Sequence, residues 1–139
     1  MRTMKKIKAV VLAAVAVAGL TLAAAPAAQA STCEAGGGGL YICEYGVTDH
    51  ALPGGHKEQF IVGTDEAMWT RHNMDGEWSG WVYLGGVFRG KIYVQERPEP
   101  EYPYAITVYA AGPGGKPWAT KRMAPGLKWT PFFCMRCGG

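Results

Sequence analysis

The chain reads as an all-β protein built from two four-stranded antiparallel blades stapled by two disulfides. Three observations predict this: turn residues alternate with short aromatic and β-branched runs, one meander recurs, and the four Cys form an even set in a chain with an export leader. No stretch after the leader carries the 3.6-residue apolar period of an amphipathic helix.

The clearest meander spans Phe60 to Gly86, FIVGTDEAMWTRHNMDGEWSGWVYLGG. Phe60, Ile61 and Val62 form one extended run, Met68, Trp69 and Thr70 a second, and Trp81 to Leu84 a third. Gly63-Thr64-Asp65, Asp75-Gly76 and Gly85-Gly86 supply the turns, because Gly accepts positive φ without steric cost. The pattern returns about 50 residues on, a period expected of propeller blades and similar arrays. Ile106 to Phe133 aligns Gly112 with Gly63, Trp118 with Trp69, and Thr120 or Lys121 with Arg71. After two extra residues in its middle turn, Trp129 aligns with Trp78 and Phe132 with Trp81.

The first thirty residues are read as a secretory leader. Arg2, Lys5, Lys6 and Lys8 precede an Ala-rich apolar run, and Ala28-Gln29-Ala30 fits the small-x-small cleavage rule. The run is short for a membrane span, and no stop-transfer pattern follows it. The expected localisation is therefore extracellular, with no membrane span after cleavage. All four leader charges are basic, so the remaining 109 residues hold 10 Lys and Arg against 11 Asp and Glu, a net charge of −1. The basic balance belongs to the leader, which removes the electrostatic case for a nucleic-acid partner.

The organisation read from the chain is a leader at 1–30, a Cys/Gly-rich N-terminal segment with one strand at 31–57, a first repeat at 58–96, a Pro/Glu linker at 97–103, and a second repeat with the C-terminal Cys pair at 104–139. Strands are expected near 40–45, 58–62, 67–73, 80–84, 90–96, 104–110, 117–122 and 129–134. The linker RPEPEYP holds three Pro and is excluded from a central strand. Cys33, Cys43, Cys134 and Cys137 allow three pairings. The sequence does not choose among them; the preference is for the local one, Cys33 with Cys43 and Cys134 with Cys137. A redox or zinc reading of Cys134-Met-Arg-Cys137 lacks a second half-site and a βαβ setting.

The motifs point away from catalysis. There is no Gly-x-Ser-x-Gly elbow and no His-Glu-x-x-His, so no enzyme and no cofactor is expected. Asp65 and Asp75 sit where turns favour Asp for backbone reasons. Asn73, Asp75 and Glu77 lack the rest of a calcium loop. His50 and His56 lie six apart in a turn-rich stretch without a third ligand and are read as surface residues.

Val62-Gly63-Thr64-Asp65, Met68-Trp69, Gly76-Glu77-Trp78-Ser79-Gly80-Trp81 and Leu84-Gly85-Gly86 together resemble one blade of the sugar-binding β-propellers of the PLL lectin type, and tectonin-like propellers have similar blades. Glu66 stands where that pattern usually has Gly, and the second copy lacks the Ser and Gly before its last aromatic. The resemblance covers about 58–133. It implies a lectin with sugar sites in or between blades, and a ring that two-bladed chains close as trimers. The expected function is thus a secreted carbohydrate-binding protein, with glycans or glycoconjugates as partners. The alternative is a secreted, disulfide-stapled interaction or inhibitor protein without sugar binding.

The residues argue for sugar independently. A sugar offers C–H faces that stack on indole and hydroxyls that need planar donors. The candidate ligand residues are Trp81, Arg71, Tyr83, Trp69, Trp118 and Lys121. Trp69, Trp78, Trp118 and Trp129 repeat, which favours packing. Trp81, Arg71 and Tyr83 do not strictly repeat and are expected to be freer for a ligand. Two blades are also expected to leave both flanking faces of the pair exposed, ready for a homotrimeric ring that multiplies weak sugar sites.

Overall fold

Ten strands are seen in the computed structural model, which describes residues 30–138. The stretch read as a leader, save for Ala30, lies outside the described residues, as does Gly139. Ser31–Gly139 forms one unit by itself.

A small hairpin comes first: β1 (Thr32–Glu34) pairs with β2 (Leu40–Ile42). A four-stranded antiparallel meander follows, made of β3 (Thr48–Ala51), β4 (Lys57–Val62), β5 (Met68–Asn73) and β6 (Val82–Gly85) in chain order. The second meander is β7 (Tyr93–Glu96), β8 (Ile106–Ala111), β9 (Pro117–Arg122) and β10 (Phe133–Cys134). Short 3-10 turns at Cys43–Tyr45, Pro53–Gly55 and Pro113–Gly115 are the helical elements among the described residues. The bridges are Cys33–Cys43, across the hairpin, and Cys134–Cys137, at the end of β10.

The two meanders share their register. Val62 pairs with Met68 and Ile61 with Trp69; Ala111 pairs with Pro117 and Ala110 with Trp118. Thr70 then faces Val82, as Ala119 faces Phe133. Trp69 therefore matches Trp118, Arg71 matches Thr120, and Trp81 matches Phe132. The turn loops match as well: Gly63 N–H donates to Ala67 O and Gly112 N–H to Lys116 O, both at 2.8 Å.

Several boundaries differ from the sequence reading. β7 belongs to the second sheet, so the first unit is 48–85 rather than 58–96. The Pro/Glu stretch at 97–103 is a hairpin loop inside the second sheet, closed by Arg97 N–H to Ala105 O at 2.8 Å. The passage between sheets is Gly86 to Ile92, where Phe88 N–H donates to Glu66 O and Arg89 N–H to Ala111 O. Gly85 and Gly86, at φ +99° and +80°, turn the chain out of β6, and the buried Phe88 anchors it. β2 completes neither meander; it reaches the first sheet through one bridge, Tyr41 to Gly63. β1 and β3 lie in stretches read as an opening segment and a loop. Their polar, Gly-flanked sequences are held by pairing to neighbours rather than by their own propensity.

One core is shared by both sheets: Phe60, Val62 and Met68 from the first, Ile106, Val108 and Ala110 from the second, with Ile42, Phe88 and Ile92 between. The opposite face of the first sheet, carrying Gln59, Ile61, Trp69 and Arg71, is partly covered by the Ala35–Gly39 loop of the hairpin. On the far face of the second sheet, Tyr93, Tyr109, Ala119 and Phe133 form one cross-strand row. Its counterpart in the first sheet includes Phe60, fully buried, whereas Tyr93 is 51% and Phe133 40% exposed. One flanking face is thus open and the other is not, which corrects the expectation that both are exposed.

A charged cluster spans the interface between sheets. Arg122 donates to both carboxylate oxygens of Glu58, its Nη2 lying 2.8 Å from Oε1, and its guanidinium lies 4.7 Å above the Trp129 ring. His50 Nδ1 stands 3.7 Å from Glu58 Oε1, and Nε2 is 3.2 Å from Glu96 Oε2. His50 is largely buried, not a surface residue, because β3 brings it against β7. The Glu58 carboxylate raises its pKa above the ordinary histidine value, outweighing burial, with Glu96 adding to the effect. Burial pushes the Glu58 carboxyl up, but His50 and Arg122 together hold it below the usual range.

The pH dependence follows from these directions. A raised histidine pKa gives stability that is complete below the unfolded value and is lost as pH rises through the folded one. A lowered carboxylate pKa gives stability present above its unfolded value and lost as pH falls through the folded one. Stability is expected to peak between the two and to decline from about pH 6.5 upward as His50 deprotonates. Urea midpoints across that range check this: His50→Gln should flatten the alkaline limb and shrink the acid limb without abolishing it, because Arg122 still holds the Glu58 carboxyl down. An unchanged alkaline limb would assign it elsewhere.

Candidate functional site

A cleft of about 220 Å³ lies between the N-terminal hairpin and the first sheet. Trp69 and Trp81 line it, with Leu40, Ile61, Asp65 and the backbone of Gly38, Gly39 and Gly63. Trp69 is placed by β5, and Trp81 by the segment leading into β6. The Gly run lets the hairpin backbone approach closely: a Cβ on Gly39 would overlap the Trp81 indole.

Asp65 does two things here. Its Oδ1 accepts from Ala67 N–H at 3.0 Å, which closes the turn as the sequence suggested. The carboxylate also accepts from Trp69 Nε1–H, at 3.1 Å to Oδ1 and 3.2 Å to Oδ2. A carboxylate has about four lone-pair sites. Acceptor capacity therefore remains on Oδ2 beside the exposed part of the Trp69 ring.

Arg71 sits behind this cleft, buried between two indoles: its guanidinium is 4.2 Å from the Trp78 centroid and 4.8 Å from that of Trp81. Nε donates to Gln59 Oε1 at 2.9 Å, and Nη2 donates to Ala35 O at 2.7 Å. Trp81 Nε1 donates to Gly36 O at 2.9 Å. Arg71 therefore latches the hairpin loop onto the sheet, contrary to its reading as a residue free for a ligand. Trp81 is both latch and cleft wall. Tyr83 packs edge-on against Trp69, with centroids 5.1 Å apart, and extends the aromatic surface into solvent.

The remaining sequence candidates are elsewhere. Trp118 occupies the matching position in the second sheet and lines a different cleft with Val87, Phe88 and Phe132. Lys121 pairs with Thr107 and shares the open face of the second sheet. The structure thus gathers Trp69, Trp81 and Tyr83 and leaves Trp118 and Lys121 apart. The hairpin's contribution of Gly38 to Leu40 was missed by sequence reasoning. The run of four Gly was the available signal, since such runs mark close backbone approach.

No protein-family model matches the chain, and none of the curated proteins matches it.

Proposed function

We propose that this chain is a secreted carbohydrate-binding protein whose two matched meanders are propeller-type blades, and that the cleft between hairpin and first sheet takes one sugar residue. The observation that carries the reading is the pair of indoles, Trp69 and Trp81, flanking an opening beside the Asp65 carboxylate. Indole faces suit sugar C–H faces, and the carboxylate accepts from sugar hydroxyls. The bounding side chains include one acid and no base, so a neutral sugar is favoured over a uronic or sialic acid. The resemblance of the WSGW-to-LGG stretch to lectin blades supports the same reading.

A glycan array with the oxidised chain from Ser31 onward is the test. Binding of neutral glycans is expected, and Asp65→Asn should weaken it about tenfold, since a hydrogen bond to a charged acceptor contributes about 1.5 kcal/mol or more. Asn retains an oxygen for Ala67 N–H, so the unfolding midpoint should move little. No glycan binding at all would refute the proposal.

The open aromatic row of Tyr93, Tyr109 and Phe133 favours the second reading, an interaction protein stapled by its disulfides. A ring of three chains is not proposed. Head-to-tail closure needs the first-sheet face that the hairpin occupies.

A further inference from the structure

The second meander has its own cleft, of about 370 Å³, at the position that matches the first. It is lined by Gly86, Val87, Phe88, Pro113, Trp118 and Phe132. Trp118 stands where Trp69 does, and Phe132 where Trp81 does. The indole edge lies over Gly112 as that of Trp69 lies over Gly63.

The chemistry has changed at two points. In the first cleft the indole N–H is met by the Asp65 carboxylate. In the second, Gly114 occupies the matching position, and among the described residues no hydrogen-bond acceptor meets Trp118 Nε1–H. The loop itself has the same length and the same closing hydrogen bond, yet Thr64-Asp65-Glu66-Ala67 has become Pro113-Gly114-Gly115-Lys116. Asp65 and Glu66 are replaced by Gly114 and Gly115, the exposed Lys116 ends the loop outside the lining, and the lining itself is apolar. Val87 is 46% and Trp118 37% exposed, so the walls are open to a ligand.

We infer that this second cleft binds a small aromatic carboxylate rather than a sugar. The ring would lie among Trp118, Phe132 and Val87, and the carboxylate would take the place that Asp65 holds in the first cleft. It would accept from the Trp118 indole N–H and face Lys116. The volume falls within the range of small-molecule sites and holds a ring with a short acidic arm. The inference does not depend on the first cleft binding sugar; it uses only the matched register and the changed loop.

Phenylacetate is the probe, with phenylacetamide as its neutral counterpart. The readout is the indole N–H resonances of the 15N-labelled oxidised chain, with Trp118 assigned through Trp118→Phe. Phenylacetate should shift the Trp118 resonance saturably and leave that of Trp69 in place. Lys116→Glu, in an exposed loop, should weaken phenylacetate about threefold, the scale of one exposed ion pair, without changing phenylacetamide. Asp65→Asn should not alter phenylacetate binding, which separates this result from the sugar test. Equal binding of acid and amide, or no saturable shift, overturns the inference. A Trp118 shift that follows protein concentration without any probe also overturns it, because a second copy would then cover the cleft.

Discussion

Glu58→Ala is expected to destabilise the fold by about 3–5 kcal/mol, the cost of leaving one member of a buried ion pair alone. Arg122 is 5% exposed and donates to both carboxylate oxygens, so the variant strands a guanidinium in the seam between the sheets. The Trp129 ring at 4.7 Å softens this only in part, since a cation–π contact contributes about 1–2 kcal/mol. Urea unfolding at neutral pH measures the loss. The double variant Glu58→Gln, Arg122→Met should regain at least half of it, because no charge is then left unpaired. A single-variant loss below about 1 kcal/mol would mean that the pair is solvated and does not hold the sheets together.

Arg71→Ala is expected to cost about 2–4 kcal/mol, because it removes two charge-assisted hydrogen bonds together with the stacking of the guanidinium on two indoles. The damage should be local. Ala35 O loses its donor, Trp78 and Trp81 lose the cation between them, and the Gly36–Gly39 loop lifts from the first sheet. Amide exchange at Ala35 and Gly39, whose N–H groups are bonded within the loop, should accelerate far more than exchange in β8 and β9. Glycan binding should fail with it, since Gly38 to Leu40 form one wall of the first cleft, whereas the Trp118 cleft should be unaffected. Arg71→Lys should rescue partially, because an ammonium cannot donate in two fixed directions while stacked. Uniform acceleration across both sheets would refute the latch.

The inner strands were legible because their side chains alternate against a core. β4 and β8 carry Phe60, Val62, Ile106 and Val108 at period two, and their hairpins end in Gly-led turns. The outer strands were not. β3, Thr48-Asp49-His50-Ala51, is polar and short, and it is a strand because β4 pairs with it. β10 is two residues long and is held by β9 in the same way, and the residues before it are irregular although they resemble an aromatic strand. Of the candidate site, Trp69, Trp81 and Tyr83 could be named from their aromatic chemistry on one meander, although the repetition of Trp69 pointed to packing. Arg71 could not be assigned its role, because its partner Ala35 lies 36 residues away and contributes only a backbone carbonyl.

By itself, the sequence determined the all-β class, the repeat of Gly, Trp and aromatic positions, and the candidate aromatic residues. Each of these is written in local pattern: turn chemistry, period-two burial and spacing. The tertiary structure decided where one sheet stops and the next begins, which Trp lines an opening, that Arg71 is buried and that His50 is largely so. It also decided the disulfide pairing among three alternatives. Those outcomes depend on interactions between residues far apart in the chain, such as Glu58 with Arg122 and Trp81 with Gly36, and no local propensity encodes them. A strand edge or an indole face has the same sequence signature whether packing covers it or leaves it open, and only the arrangement of the sheets and the hairpin makes that choice.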